Sequence, residues 1–131
     1  MTLFSLGRRM GKQVSVNGKS EMPQRYLFLA HASFYEVKAA LSDEDAHSLI
    51  ICMDTSTSER SVPGIKELTE AGALTVNIDH HGDNTCYCAL NLINPVASAT
   101  AEIVEDLIYT AGWTMTKEES AALYVALSTD N

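Results

Sequence analysis

The segment Ser48-Leu49-Ile50-Ile51-Cys52-Met53-Asp54 constrains the fold more than any other part of this chain. An uninterrupted apolar run of strand length fits a β-strand covered on both faces, as in a parallel sheet flanked by helices. It closes on an acid, Asp54. A second segment, with Leu74, Val76 and Ile78 in alternation, also reads as a strand and runs into Asp79-His80-His81. A third runs from Ala121 to Leu127, is again apolar, and ends in Ser128-Thr129-Asp130. Ligands in open α/β sheets sit at the carboxyl-terminal tips of the strands. Acids and a His-His pair, each just past an apolar element, therefore predict one convergent site. Carboxylate oxygen and imidazole nitrogen are the donors that hold borderline divalent metals.

Between these segments the pattern alternates between strand and helix. Leu3, Phe4, Leu6 and Met10, stopped at Gly11, read as the C-terminal half of a helix. Val14-Ser15-Val16 predicts a short strand, and Pro23 to Ala30 a helix. Pro63 to Ala71 predicts another helix, with Pro63 near its first turn and Gly72 as its stop. Ile103, Val104, Leu107, Ile108 and Ala111 recur at helical spacing, opposite the wetter Glu102, Glu105 and Asp106, up to Gly112. Thr116-Lys117-Glu118-Glu119 matches the capping-box pattern and starts the last helix. The acids of Asp43-Glu44-Asp45-Ala46-His47 precede the strand ending at Asp54, so they lie roughly 20 Å from it, at the other edge of the sheet. They read as a solvated loop, and His31 and His47 as surface histidines.

Composition bounds the function classes. The 131 residues fit one domain, residues 1–131, and 46% apolar residues can build a core. No segment approaches the roughly 20 apolar residues of a membrane span, and the start lacks a signal-peptide pattern. A net charge of −8 argues against long duplex nucleic acid, whose binding needs many Lys and Arg contacts. A small phosphorylated substrate held through metal needs no basic surface. Cys52 reads as a buried thiol, and Cys86-Tyr87-Cys88 alternates as a strand edge, with both sulfurs on one face. Two thiolates are too few for a structural zinc site, and reduced cysteines point to a cytoplasmic protein.

Taken together, these motifs resemble those of the DHH phosphoesterases, the superfamily of RecJ-like nucleases, nano-RNA/pAp phosphatases and cyclic-dinucleotide phosphodiesterases. Met53-Asp54-Thr55-Ser56 is similar to the family's second motif and Asp79-His80-His81 to its third. Ser98-Ala99-Thr100-Ala101-Glu102 is similar to the serine/threonine-rich turn that follows, and Ser128-Thr129-Asp130 to the fourth motif. Asn91-Leu92-Ile93-Asn94-Pro95 sits where the family has a short extra strand. Asp54-Thr55-Ser56 and the pair Asn84-Thr85 bring the chain nearest to the nano-RNA/pAp phosphatases. The family's first motif, D-x-D-A-x-G-S, has no counterpart, and Met1 to Leu6 resembles the helix that follows it.

The resemblance implies a Rossmann-like α/β fold with a parallel sheet of order 2-1-3-4-5 and helices on both faces. It also implies that the chain is a partial catalytic domain, without the first strand and the C-terminal substrate-binding domain. The full protein would hydrolyse short oligoribonucleotides or 3′-phosphoadenosine 5′-phosphate with two metals, Mn²⁺ by preference and Mg²⁺ as the alternative; the chain by itself would be a poor catalyst. Asp54, His80 and Asp130 would be metal ligands, Asp79 would orient an imidazole, and His81 would face the scissile phosphate. Ser98 and Thr100 would meet phosphate at a helix start, with a plain N-cap as the other reading of Ser98. Asn84 would contact phosphate or base, or else serve a turn. Short RNA or a phosphorylated nucleotide would be the partner, with no membrane, and a homodimer is compatible with the full-length protein. The alternatives are a cyclic-dinucleotide phosphodiesterase, or a non-catalytic domain that binds a nucleotide or a partner.

Overall fold

A computed structural model describes residues 1–129. Helix α1 spans Thr2–Arg9, and strands β1 (Val16–Gly18) and β2 (Tyr35–Val37) follow. Next come β3 (Ile50–Met53), α2 (Ile65–Glu70), β4 (Thr75–Asp79) and β5 (Leu90–Ile93), and the chain closes with α3 (Thr100–Ala111) and α4 (Lys117–Thr129). All strand pairs are parallel. β1 pairs with β2 in one small sheet, and β3-β4-β5 form a second, with Ile51 beside Val76 and Val76 beside Leu90.

Helices cover both faces of the β3-β4-β5 sheet. On one face Ile78 joins Leu6 of α1, Ile103, Val104 and Ile108 of α3, and Leu123 of α4 in the main core. On the other, Cys52 and Cys88 pack with Ile65 at the start of α2. Ile65, Ile78 and Ile108 are each at most 2% exposed. Full burial of such a side chain contributes about 1.5–3 kcal/mol, so these three anchor the two layers.

The fold class agrees with the sequence, and the departures from it have physical causes. β3 is not buried on both faces, because it forms an edge and Leu49, Ile51 and Met53 remain exposed. The first strand starts at Val16, not Val14, and is paired with β2, a strand the periodicity did not mark. Residues 23–30 form a 3₁₀ turn at Gln24–Tyr26 and further turns, not a helix. A short helix needs an apolar face buried by its neighbours, and here Leu27 and Phe28 face solvent. The Cys86–Cys88 alternation also fails. Cys86 takes a left-handed φ of 54°, so it is exposed while Cys88 is buried.

The remaining signals hold. Gly72 stops α2 at φ 98°, where a side chain would be strained. Thr116 and Glu119 form the reciprocal capping box: the Glu119 carboxylate accepts the Thr116 N–H at 3.0 Å, and the Thr116 hydroxyl accepts the Glu119 N–H at 3.2 Å. The acids Asp43–Asp45 lie on an exposed to half-exposed 3₁₀ turn, where Asp45 pairs with Lys38. His47 is exposed as expected, whereas His31 is half-buried against Phe4 and Phe34. No helix among the described residues is long and apolar enough to cross a membrane.

Candidate metal centre

The carboxyl-terminal tips of β3 and β4 lie side by side, since Met53 pairs with Ile78. The residues at or just beyond them, Asp54, Asp79, His80 and His81, therefore meet. Each offers one ligand atom, and these atoms all lie within 4.8 Å of one another. Asp54 holds its side chain there through a left-handed backbone, φ 61°. Asp and Asn visit that region more readily than most residues, so the turn accepts an acid where a β-branched residue would be strained.

Each donor is oriented by a specific partner. The Thr100 hydroxyl, in the first turn of α3, donates to Asp54 Oδ1 at 3.0 Å. His80 turns Nε2 toward Asp54 Oδ1 at 3.4 Å, and its Nδ1 approaches the Ala97 carbonyl. His81 Nδ1–H donates to Asp79 Oδ1 at 2.6 Å. Asp79 itself is fully buried. Burial pushes its carboxyl up, but hydrogen bonds from Asn84, His81 and the His80 backbone outweigh this and hold it below the usual carboxylate range. The hydrogen bond to Asp79 raises the His81 imidazole above its ordinary value, against a smaller opposing effect of burial.

The loop at residues 80–89 is clamped onto β4 by a row of polar side chains. Period-2 alternation puts Thr75, Asn77 and Asp79 on one side of the strand, and none of the three is exposed to solvent. The Thr75 hydroxyl accepts the Ala89 N–H at 2.9 Å, while Asn77 and Asp79 both accept from the Asn84 amide at 2.7 Å. Asn77 and Thr75 were missed as site supports in the sequence, although their alternation with Val76 and Ile78 was the available signal.

Of the expected site residues, the structure brings together Asp54, Asp79, His80, His81, Asn84 and Thr100. Ser98 is exposed, and its hydroxyl and backbone N–H both bind the Glu102 carboxylate at the start of α3. Asp130 lies outside the described residues.

The comparisons with known proteins bear on the family and the fold. The family model described as the N-terminal domain of the DHH family matches residues 4–127. The chain belongs to the DHH family. Among relatives of this DHH domain, an uncharacterized Mycoplasma pneumoniae protein is 37% identical over 64% of the chain and 25% of its own length. A bifunctional oligoribonuclease and PAP phosphatase of Thermus thermophilus is 38% identical over 42% of the chain and 17% of its own length. The chain thus spans about a quarter or less of the relatives it matches. An exopolyphosphatase-related protein of Bacteroides fragilis superposes with a TM-score of 0.84 at 20% identity, covering 98% of this chain and 40% of that one. That likeness supports the fold.

Proposed function

We propose that this DHH phosphoesterase domain binds Mn²⁺, with Mg²⁺ as the alternative, and serves the hydrolysis of short oligoribonucleotides or 3′-phosphoadenosine 5′-phosphate. The observation that carries the reading is the cluster of Asp54, Asp79, His80 and His81 at the strand tips. Its mixture of carboxylate and imidazole suits a borderline divalent ion, and the similarity to an oligoribonuclease and PAP phosphatase supports the substrate class. A bound ion pair would lower the pKa of water and neutralise charge on the phosphoryl oxygens.

Asp54 and His80 would hold the metal, with Asp130 joining them. Asp54 is more accessible than Asp79, its side chain 54% exposed. Asp79 acts through His81, accepting its Nδ1–H and aiming the other ring nitrogen toward the phosphate. Thr100 fixes the Asp54 carboxylate by donating to one oxygen. The first-turn N–H groups of α3 beside Thr100 offer donors for a phosphate oxygen.

Mn²⁺ titration of the ¹⁵N-labelled chain tests the metal site. Signals of residues 54 and 79–81 should broaden first, and uniform broadening would count against the centre. With Mg²⁺ present, 3′-phosphoadenosine 5′-phosphate and a dinucleotide should both perturb His81 and Thr100. A response to cyclic dinucleotides alone would favour the phosphodiesterase alternative, and silence toward all three would favour a non-catalytic domain.

A further inference from the structure

The Asn84 side chain is committed to the protein at all three of its polar positions. Its nitrogen donates to Asp79 Oδ2 and to Asn77 Oδ1, both at 2.7 Å, and its oxygen accepts the Cys86 N–H at 2.7 Å. Both N–H donors of the amide are thereby used, with the Thr55 carbonyl a more distant acceptor at 3.4 Å, and its oxygen accepts one bond. The orientation follows from the neighbours. Reversed, the amide would set oxygen against the Asp79 carboxylate and the Asn77 carbonyl, and NH₂ against an N–H. Asn77 is fixed in turn, because its own NH₂ donates to the buried Cys52 carbonyl at 3.1 Å. Its oxygen therefore faces Asn84. A relay runs from the β3 backbone through Asn77 and Asn84 to Asp79, and ends at the His81 ring.

We propose that Asn84, backed by Asn77, is a positioning residue that holds the Asp79 carboxylate so that His81 keeps its proton on Nδ1 and presents Nε2 outward, as a lone pair to a metal ion or, when that nitrogen is also protonated, as a donor to a phosphate oxygen. Asp79 has two oxygens. Asn84 occupies Oδ2, and Oδ1 is left for His81 Nδ1–H at 2.6 Å. Without the amide, the carboxylate is free to rotate and loses a donor while remaining buried. The hydrogen bond at one imidazole nitrogen sets the role of the other, so the relay decides which nitrogen the site displays. The inference deepens the proposed function by assigning Asn84 to support of the histidine, not to contact with phosphate or base.

Long-range ¹H–¹⁵N NMR of the full chain, at about pH 9.5 and so above the ordinary imidazole range, reads which ring nitrogen of His81 carries the proton. The unsubstituted protein should show Nδ1–H, and at neutral pH its Asn84 NH₂ protons should exchange with water at least tenfold more slowly than those of an exposed Asn. Asn84→Asp has nearly the same shape but cannot donate as a carboxylate, so it should move at least half of the His81 population to Nε2–H, as should Asn84→Ala. A folded Asn84→Asp that keeps Nδ1–H would reduce Asn84 to filling space and overturn the proposal. If neither variant folds, an Nε2–H tautomer or fast-exchanging Asn84 NH₂ in the unsubstituted protein still overturns it, and the opposite result supports it. None of these readings needs metal or substrate, so failure of the proposed activity leaves a separate signature.

Discussion

Two carboxylates are buried among the described residues, and they are held in different ways. Glu119, 1% exposed, sits between α1 and α4. It accepts from Arg9 through both oxygens at 2.8 Å, from the Ser5 hydroxyl at 2.7 Å and from the Thr116 N–H. All these donors belong to the joint between the helices, and the carboxylate is saturated. Asp79 is equally buried, but its partners are a neutral amide relay and an imidazole that is itself 41% exposed, beside the open carboxylate of Asp54. Both shells reach solvent, one through the Arg9 guanidinium, 42% exposed, and the other through the His81 ring. They differ in what stands at that end: the Glu119 shell ends in a permanently charged side chain that ties α1 to α4, while the Asp79 shell ends in a titratable ring beside a second carboxylate, an arrangement suited to chemistry.

The comparison can be broken most directly at Glu119. Glu119→Ala removes the acceptor of the Ser5 hydroxyl, the cap N–H and Arg9, which keeps only the Thr114 carbonyl, and loss of hydrogen bonds to a charged group costs about 1.5–3 kcal/mol. Urea denaturation should show that loss, and a change below about 1 kcal/mol would mean the joint is not held by this carboxylate.

Acid should act on the same residue. The hydrogen bonds from Arg9, opposed by burial and helped by Ser5 and Thr116, hold the Glu119 carboxyl down to about 2. Its folded-state value is therefore below its unfolded one, so the stabilisation is complete above about pH 4.5 and is lost as pH falls toward 2. The contribution is on the order of 2–3 kcal/mol. Denaturation curves at pH 7, 4 and 2.5 should converge for the parent and Glu119→Gln; parallel curves would show that the charge is not what stabilises.

A smaller effect is expected at the cap. Thr116→Val removes the hydroxyl that accepts the Glu119 N–H and should cost about 1 kcal/mol in the same assay.

The smallest effect on stability belongs to the other cluster. Asp54→Asn keeps a residue suited to φ 61° and removes only an exposed charge, so stability should change by no more than about 0.5 kcal/mol. Calorimetry with Mn²⁺ should nevertheless lose its binding signal. A large fall in stability would place Asp54 with Glu119 and erase the distinction drawn between the two clusters.

The sequence displayed the candidate metal centre better than the joint. Asp54, Asp79, His80 and His81 were legible because each ends an apolar segment, and strand tips that pair in register must bring such residues together. Glu119 was legible only as half of a capping box. That local pattern says nothing of Arg9, which lies far away in the chain and ties the capping carboxylate to α1. Asn84 was visible as a polar loop residue open to either a ligand or a turn. Its true partners, Asn77 and Asp79, are settled by how the 80–89 loop folds back onto β4. Residues 23–30 misled because Leu27 and Phe28 have no surface to pack against.

The path from β4 to β5 has a kinetic corollary. Parallel neighbours are usually joined by a helix over a dozen or more residues, but here residues 80–89 make the crossing without one, and they carry His80, His81 and Asn84. β5 is an edge strand with Leu90 and Leu92 exposed, the kind of element that opens locally at low free energy. When β5 lifts from β4, the loop that bears the histidines loses support at its far end and rests on the bonds of Asn84 and His81 to β4. An ion gripping the histidines would add to that hold and should be felt along the strand as slower amide exchange from Leu90 to Ile93.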